Sequence, residues 1–208
     1  MKRKIIDSTP FGPIGLVWTA AGDGPKVVRV LLSRSKSSAE RELAALFPDA
    51  TPASCAEIEE TAAAIEGILE GERIEIPLDV ADLGRCGEFQ RLVLRAEHRI
   101  PRGRVSTYKL IGEYLGRRNG ARAVGNALAR NPFPLIVPCH RVVRSDGRLG
   151  GYQGGVAMKR ALLEMEGLTF DRAGRVVCSD FHYSWANSSA DPVAGSKENR
   201  SKLRRRMS

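Results

Sequence analysis

The chain has 208 residues, 42% of them hydrophobic, which is enough to bury a core without disulfides or metal. No apolar run nears the roughly 18 residues of a membrane span, and charge interrupts the first seven residues where a signal peptide would be apolar, so no membrane contact and a cytoplasmic location are expected. The net charge of +9 is uneven: residues 1–85 hold 10 Lys and Arg against 14 Asp and Glu, residues 86–170 hold 15 against 6, and residues 171–208 hold 8 against 4, so a polyanion is the expected partner of the basic part.

The first 32 residues read as a small antiparallel sheet, with apolar runs at residues 4–6, 14–18 and 27–32 separated by Thr9-Pro10-Phe11-Gly12-Pro13 and Gly22-Asp23-Gly24-Pro25. Residues 37–47 and 56–69 have helical spacing, the second with Ile58, Ala62, Ile65 and Leu69 on one face, and both are expected to pack on the sheet. Gly71 marks a turn, residues 74–77 a short extended piece and Asp82-Leu83-Gly84 a linker. An N-terminal α/β domain over residues 1–82 is the expectation.

From Cys86 the texture changes. Phe89, Leu92, Val93, Ala96 and Ile100 step by three and four, which predicts a helix over residues 88–99 ended by Pro101. Ser106 or Thr107 can cap a second helix reaching Leu115, residues 116–120 turn, and residues 121–130 form a third helix stopped by Asn131-Pro132. Helix, glycine-bearing turn and helix in a basic region predict a helix-turn-helix, so residues 86–170 are expected as a mainly helical domain and the fold class is α+β. On the third helix Val124 and Leu128 mark the core side, whereas Arg122, Gly125, Asn126 and Ala129 share a face almost free of bulk. Such a face can lie close to DNA, although small residues equally mark close helix packing. The polar stretch at residues 184–208, ending Lys202-Leu203-Arg204-Arg205-Arg206, is expected as a disordered basic tail.

The segment from Asn131 through Pro132, Pro134 and Pro138 to Cys139-His140-Arg141 is unlike the rest of the chain. Three prolines predict a rigid, largely extended path into a cysteine flanked by histidine and arginine. Cys55, Cys86, Cys139 and Cys178 lie far apart with only three histidines to help them, which is neither a disulfide framework nor a zinc site. Cys139 alone has neighbours able to lower a thiol pKa and so to make it a nucleophile.

At these residues the sequence resembles the O6-alkylguanine-DNA alkyltransferases, also called methylated-DNA–protein-cysteine methyltransferases, whose signature is the Pro138-Cys139-His140-Arg141 tetrad. Phe89-Gln90, Ile100-Pro101, Val105-Ser106-Thr107-Tyr108, Ala121-Arg122-Ala123-Val124-Gly125, Asn131-Pro132, Gly151-Tyr152-Gln153-Gly154-Gly155 and Glu166-Gly167 extend the resemblance over residues 86–168. It implies that Cys139 accepts an alkyl group from O6 of guanine in duplex DNA, with O4-alkylthymine a further substrate, once per monomer and without a cofactor. It further implies that His140, held by Glu166, takes the thiol proton through a water, and that Tyr108 donates to the leaving purine. Arg122 would fill the stack behind a flipped nucleotide, with Ala121, Gly125 and Ala129 on the DNA side of the same helix. Asn131 would tie that helix to the active turn, Pro134 and Tyr152 would line the base pocket, and backbone groups of Cys139, Val142 and Gln153 would read the guanine edge.

Departures from the family are few. Leu94 stands where many members have Trp, a packing change; Gln153 stands where Ser or Ala is common, tolerable if only its backbone is used. Some members bind zinc in the N-terminal half, but this half offers Cys55 and no histidine, so no metal is expected. A non-catalytic lesion binder of the same fold would lack the acceptor cysteine, and a helix-turn-helix transcription regulator would leave the Cys139-His140 pair without a purpose.

Overall fold

Three antiparallel strands, β1 (Lys2–Ile6), β2 (Ile14–Ala21) and β3 (Gly24–Leu32), open the chain, and a short β4 (Thr51–Pro52) pairs parallel to β1, giving the order β3-β2-β1-β4. The first turn forms where Thr9-Pro10-Phe11-Gly12 predicts it, with Gly12 N–H donating to Thr9 C=O at 3.1 Å. The computed structural model describes residues 1–22, 24–34 and 37–184; the expected tail therefore lies, beyond Ser184, outside the described residues.

The sheet is covered on both faces. Val28 has no register partner opposite Val17 and Trp18, and this bulge shifts the alternation of β3. Val28 and Leu31 thus join Val17 under α1 (Ala39–Leu46), whose Ala39 and Leu43 complete a separate small core. Val27, Val30 and Leu32 face the other way with Ile14, Leu16 and Trp18, against Ile58, Ala62, Ile65 and Leu69 of α2 (Ala56–Leu69).

That second core runs on without a break into the C-terminal half, through Val93 and Leu94 of α3 (Glu88–His98), Ile111 of α4 (Tyr108–Tyr114), Val124 and Leu128 of α5 (Ala121–Ala129), and Phe133 to Val137. Thr107, not Ser106, caps α4: its Oγ1 accepts from Leu110 N–H at 3.1 Å. The turn between α4 and α5 is tight because Gly112 and Gly120 meet Arg117; a Cβ on Gly120 would stand 2.8 Å from Arg117 C=O. The α+β class and the helix-turn-helix order are as the sequence predicts. No helix among the described residues is long and apolar enough to cross a membrane.

Several pieces differ from expectation. The linker at Asp82-Leu83-Gly84 is a 3-10 turn, and residues 74–77 pair with no strand. Two short pairings are not anticipated: β5 (Ser106–Thr107) runs parallel to β6 (Val142–Val143), and β7 (Thr169–Phe170) pairs with β8 (Val176–Val177). Nor is α6 (Val156–Met165), which packs Met158, Leu162 and Leu163 inward. Beyond β8, Tyr183 is buried, stacks on Tyr114 at 4.1 Å and donates its hydroxyl to Ala96 C=O at 2.7 Å.

Leu43 is the largest contributor from α1 to its small core and is fully buried. Leu43→Ala is expected to cost about 2–5 kcal/mol, the range for a buried Leu truncation, because a five-residue cluster has few neighbours that can refill the space. Denaturant unfolding of the variant at neutral pH checks this.

Candidate active site

The residues around Cys139 are held by one amide side chain. Asn131, fully buried just after α5, accepts from Phe133 N–H at 2.9 Å, and its Nδ2 donates to Val137 C=O at 3.3 Å and to Cys139 Sγ at 3.3 Å. The path between them is not the extended run that three prolines suggest. Val137 N–H closes a turn on Phe133 C=O at 2.8 Å, Leu135 takes the left-handed region at φ 74°, and Cys139–Arg141 form a 3-10 turn. A non-glycine residue pays for that conformation only where its surroundings fix it, as burial does for Leu135. From the N-terminal half, Val30 N–H of β3 donates to Pro132 C=O at 2.8 Å.

The carboxylate of Glu166, just past α6, organises the other side. It accepts from His140 Nε2 at 2.9 Å, from Arg141 Nε at 3.0 Å and Nη2 at 2.8 Å, and from Gly103 N–H at 3.3 Å. Burial alone would raise its pKa, but the hydrogen bonds and charges of His140 and Arg141 prevail and bring it down to about 2. An ionised carboxylate only accepts, so His140 must carry its proton on Nε2, leaving Nδ1 as the basic nitrogen. Burial lowers the imidazole pKa against the pull of Glu166, and Nδ1 is buried without a hydrogen-bond partner. The result is a neutral, oriented base.

The thiol itself is not acidified at rest. Burial, and next the carboxyl of Glu97, push Cys139 up to about 12, against smaller opposing effects of Asn131 and Lys159. Arg141, the cation two residues on in sequence, is turned away to Glu166 and to Ile100 C=O at 2.7 Å. Tyr108, at the start of α4, is also held up to about 12, mainly by burial, and so remains a proton donor. Its ring lies where a Cβ on Gly150 would stand, so a larger residue there would have to displace Tyr108.

The other expected residues lie as follows. Tyr152 packs edge-on to His140 with ring centroids 6.3 Å apart, and its hydroxyl is buried without a partner. Gln153 departs from the backbone-only expectation: its Nε2 donates to Asn131 C=O at 2.6 Å, bracing the loop before α6 against the active turn. Val142 C=O accepts from Lys159 Nζ at 2.6 Å. Pro134 is buried, while Arg122 and Ala129 are exposed on α5, with Ala121 and Gly125 half-buried. A cavity of about 320 Å³ is lined by Arg73, Ile74, Glu75, Arg102 and Glu166; neither Cys139 nor Tyr152 borders it, so it is not the expected base pocket.

Two buried ionisable residues, Lys159 and Glu97, are absent from the sequence expectations. Helical spacing carries the signal for both: Lys159 shares a face with Leu162 and Leu163, and Glu97 with Val93 and Ile100. Among the described residues no three His, Cys, Asp or Glu side chains cluster as a metal would require.

Fold and site together define a helix-turn-helix protein whose buried cysteine adjoins a histidine–carboxylate pair. Residues 88–168 match the family model described as 6-O-methylguanine DNA methyltransferase, DNA binding domain. The chain is 41% identical over 163 residues to a methylated-DNA–protein-cysteine methyltransferase of Methanothermobacter thermautotrophicus, covering 78% of this chain and 84% of that one. It is 35% identical over 162 residues to the Methanosarcina acetivorans protein of the same name, covering 78% and 96%. The crystal structure of Mycobacterium tuberculosis OGT in complex with DNA superposes with a TM-score of 0.66 at 34% identity, over 80% of this chain and 92% of that one. The chain belongs to the methylated-DNA–protein-cysteine methyltransferase family.

Glu166→Gln leaves buried Arg141 without a counter-charge and is expected to cost about 3–5 kcal/mol at pH 7, the range for breaking a buried pair from one side. A depressed carboxyl contributes stability that is present above its unfolded pKa and lost as pH falls through its folded one. The wild type should therefore lose this contribution between pH ~4.3 and pH ~2, and the variant should lack that loss. Denaturant midpoints at pH 7, 4 and 2.5 test both parts.

Proposed function

We propose that this protein repairs alkylated DNA by moving the alkyl group from O6 of guanine to Cys139, irreversibly and once per molecule. The observation that carries this reading is the constellation of Cys139, Asn131, His140 and Glu166 within a chain of this family. O4-alkylthymine is a second substrate in the same proposal, and the working form is a cytoplasmic, nucleoid-associated monomer on duplex DNA. Residues 1–82 form the accessory part and residues 86–170 the part that binds DNA and accepts the alkyl group.

His140 Nδ1 draws the thiol proton through a bridging water, because the side-chain partner of Sγ is Asn131 and not the imidazole. The sulfur attacks the alkyl carbon as its bond to O6 breaks, and Glu166 balances the imidazolium that forms. The departing guanine would be a poor anion; the Tyr108 hydroxyl, protonated at neutral pH, donates to it. Pro134 and Tyr152 line the base pocket, and backbone groups of Cys139, Val142 and Gln153 read the guanine edge. The low profile of Ala121, Gly125 and Ala129 lets α5 approach the duplex, and exposed Arg122 takes the place of the extruded nucleotide.

Cys139→Ala is expected to abolish transfer while leaving affinity for DNA nearly unchanged, since phosphate contacts supply most of it. Intact-protein mass after incubation with a methylated duplex should show one methyl on the wild type, at Cys139, and none on the variant. A second turnover, or methyl on the variant, contradicts the assignment.

Arg122→Ala should slow single-turnover repair of duplex strongly but react nearly normally with free O6-methylguanine, which needs no flipping. A simple phosphate contact would instead reduce the salt slope by about one unit and spare the rate at saturation. Unchanged duplex rates at saturating protein would remove Arg122 from the mechanism.

A further inference from the structure

The last turn of α5 ends in carbonyls that the helix itself cannot satisfy. Two glutamine side chains take several of them. Gln90 of α3 donates Nε2 to Ala127 C=O at 3.1 Å and to Arg130 C=O at 3.0 Å, which holds the helix end to its neighbour. Gln153, from the loop before α6, donates Nε2 to Asn131 C=O at 2.6 Å. The same Asn131 closes α5, its N–H donating to Leu128 C=O at 3.0 Å, while its side chain donates to Cys139 Sγ at 3.3 Å. One residue therefore joins the end of α5, the sulfur and the loop that carries Tyr152.

That loop needs such a tie. Four of the six residues from Gly150 to Gly155 are glycine, so the backbone has little stiffness of its own. Lys159 Nζ reaches Gly151 C=O at 3.4 Å, beyond the usual hydrogen-bond range, and Gly155 N–H closes on Tyr152 C=O at 3.0 Å within the loop itself. Met158 and Leu32 lie against Gly154 at the end of the loop. The short bond from Gln153 is what fixes its middle, next to Tyr152, to the end of α5. Asn131 does not need that bond to hold the thiol, because its side chain is also anchored by Phe133 N–H and Val137 C=O.

We propose that Gln153 is a positioning residue that keeps the base-pocket loop in register with α5, so that a nucleotide extruded along that helix arrives against Tyr152 and Cys139 together. The inference rests on Cys139 being the acceptor and on α5 facing the duplex. A base still attached to its sugar and phosphates goes where the helix delivers it and cannot shift to meet a displaced wall. Misplacement by about 1 Å at reacting atoms can cost about 100-fold in rate. A free base carries no such constraint and seats itself against the loop wherever the loop stands. Loss of the Gln153 bond is therefore a loss for duplex DNA and not for the free base.

The test is single-turnover transfer to the wild type, Gln153→Ala and Gln153→Glu, from a methylated duplex and from free O6-methylguanine, with the alkylated residue identified by mass. Protein concentration is varied so that the saturating rate and the half-saturation point are read separately. Glutamate keeps the length and shape of glutamine, but a carboxylate cannot donate to a carbonyl. Expected is a saturating duplex rate lower by about 10- to 100-fold in both variants, with the free-base rate near that of the wild type and duplex half-saturation unchanged in Gln153→Ala. Gln153→Asn, one methylene too short to reach, takes the place of any variant that does not fold. Equal losses on both substrates, an unchanged duplex rate, or weaker duplex binding with the saturating rate intact overturns the role of Gln153 while transfer to Cys139 in the wild type still stands. So does a loss in Gln153→Ala that Gln153→Glu does not share, since bulk and not the bond would then be responsible. A wild type alkylated elsewhere than Cys139 overturns both readings.

Discussion

Glu166 accepts from the imidazole of His140, the guanidinium of Arg141 and the amide of Gly103, and through these bonds one buried carboxylate joins the end of α6, the turn after α3 and the turn that holds Cys139. With several donors on it, the carboxylate stays ionised wherever the rest of the site is folded. It can therefore orient His140 and balance an imidazolium without becoming protonated itself. Arg141, whose side chain looks in sequence like an activator of the thiol, serves as the strut of this arrangement, since its other arm reaches Ile100 C=O.

The N-terminal half reaches the site through the edge of its sheet. β3 is an outer strand, and an outer strand carries unpaired backbone groups that must be satisfied or covered. Val30 N–H goes to Pro132 C=O, two residues into the active segment, and Val27 C=O takes Asp82 N–H. Leu32 of the same strand lies against Gly154 beside Tyr152. The apolar core under that edge continues into α3, α4 and α5, so a weakening of the sheet would be felt at the acceptor turn.

Much of this was legible in the sequence. The period-three-and-four spacing fixed α2 to its residues, and the Pro-Cys-His-Arg segment pointed to the site. What escaped depends on contacts that spacing does not encode. Short pairings such as β5 with β6 have two residues each and no alternation to detect. The left-handed Leu135 contradicts the local preference of its residue type and exists because burial and the Val137–Phe133 bond enforce it. Charge was the larger blind spot. A sequence shows Arg141 two residues after Cys139 but not that the guanidinium turns away, and it shows Lys159 and Glu97 as polar breaks in helical faces rather than as buried ionisable groups.

The high resting pKa of the acceptor has its own logic. A free thiol near pKa 8.5 is a few per cent thiolate at neutral pH, whereas one pushed up to about 12 by burial is ionised far less. For a residue that can be used once, that difference protects it from oxidants and from electrophiles in solution, which react with the thiolate. Burial to 7% exposure adds a steric barrier in the same direction. The penalty falls on the wanted reaction too, unless the proton leaves as the carbon–sulfur bond forms. In the proposed mechanism a neutral His140 and a Tyr108 still holding its proton would meet that requirement together, one taking the proton from the nucleophile and the other supplying one to the leaving group.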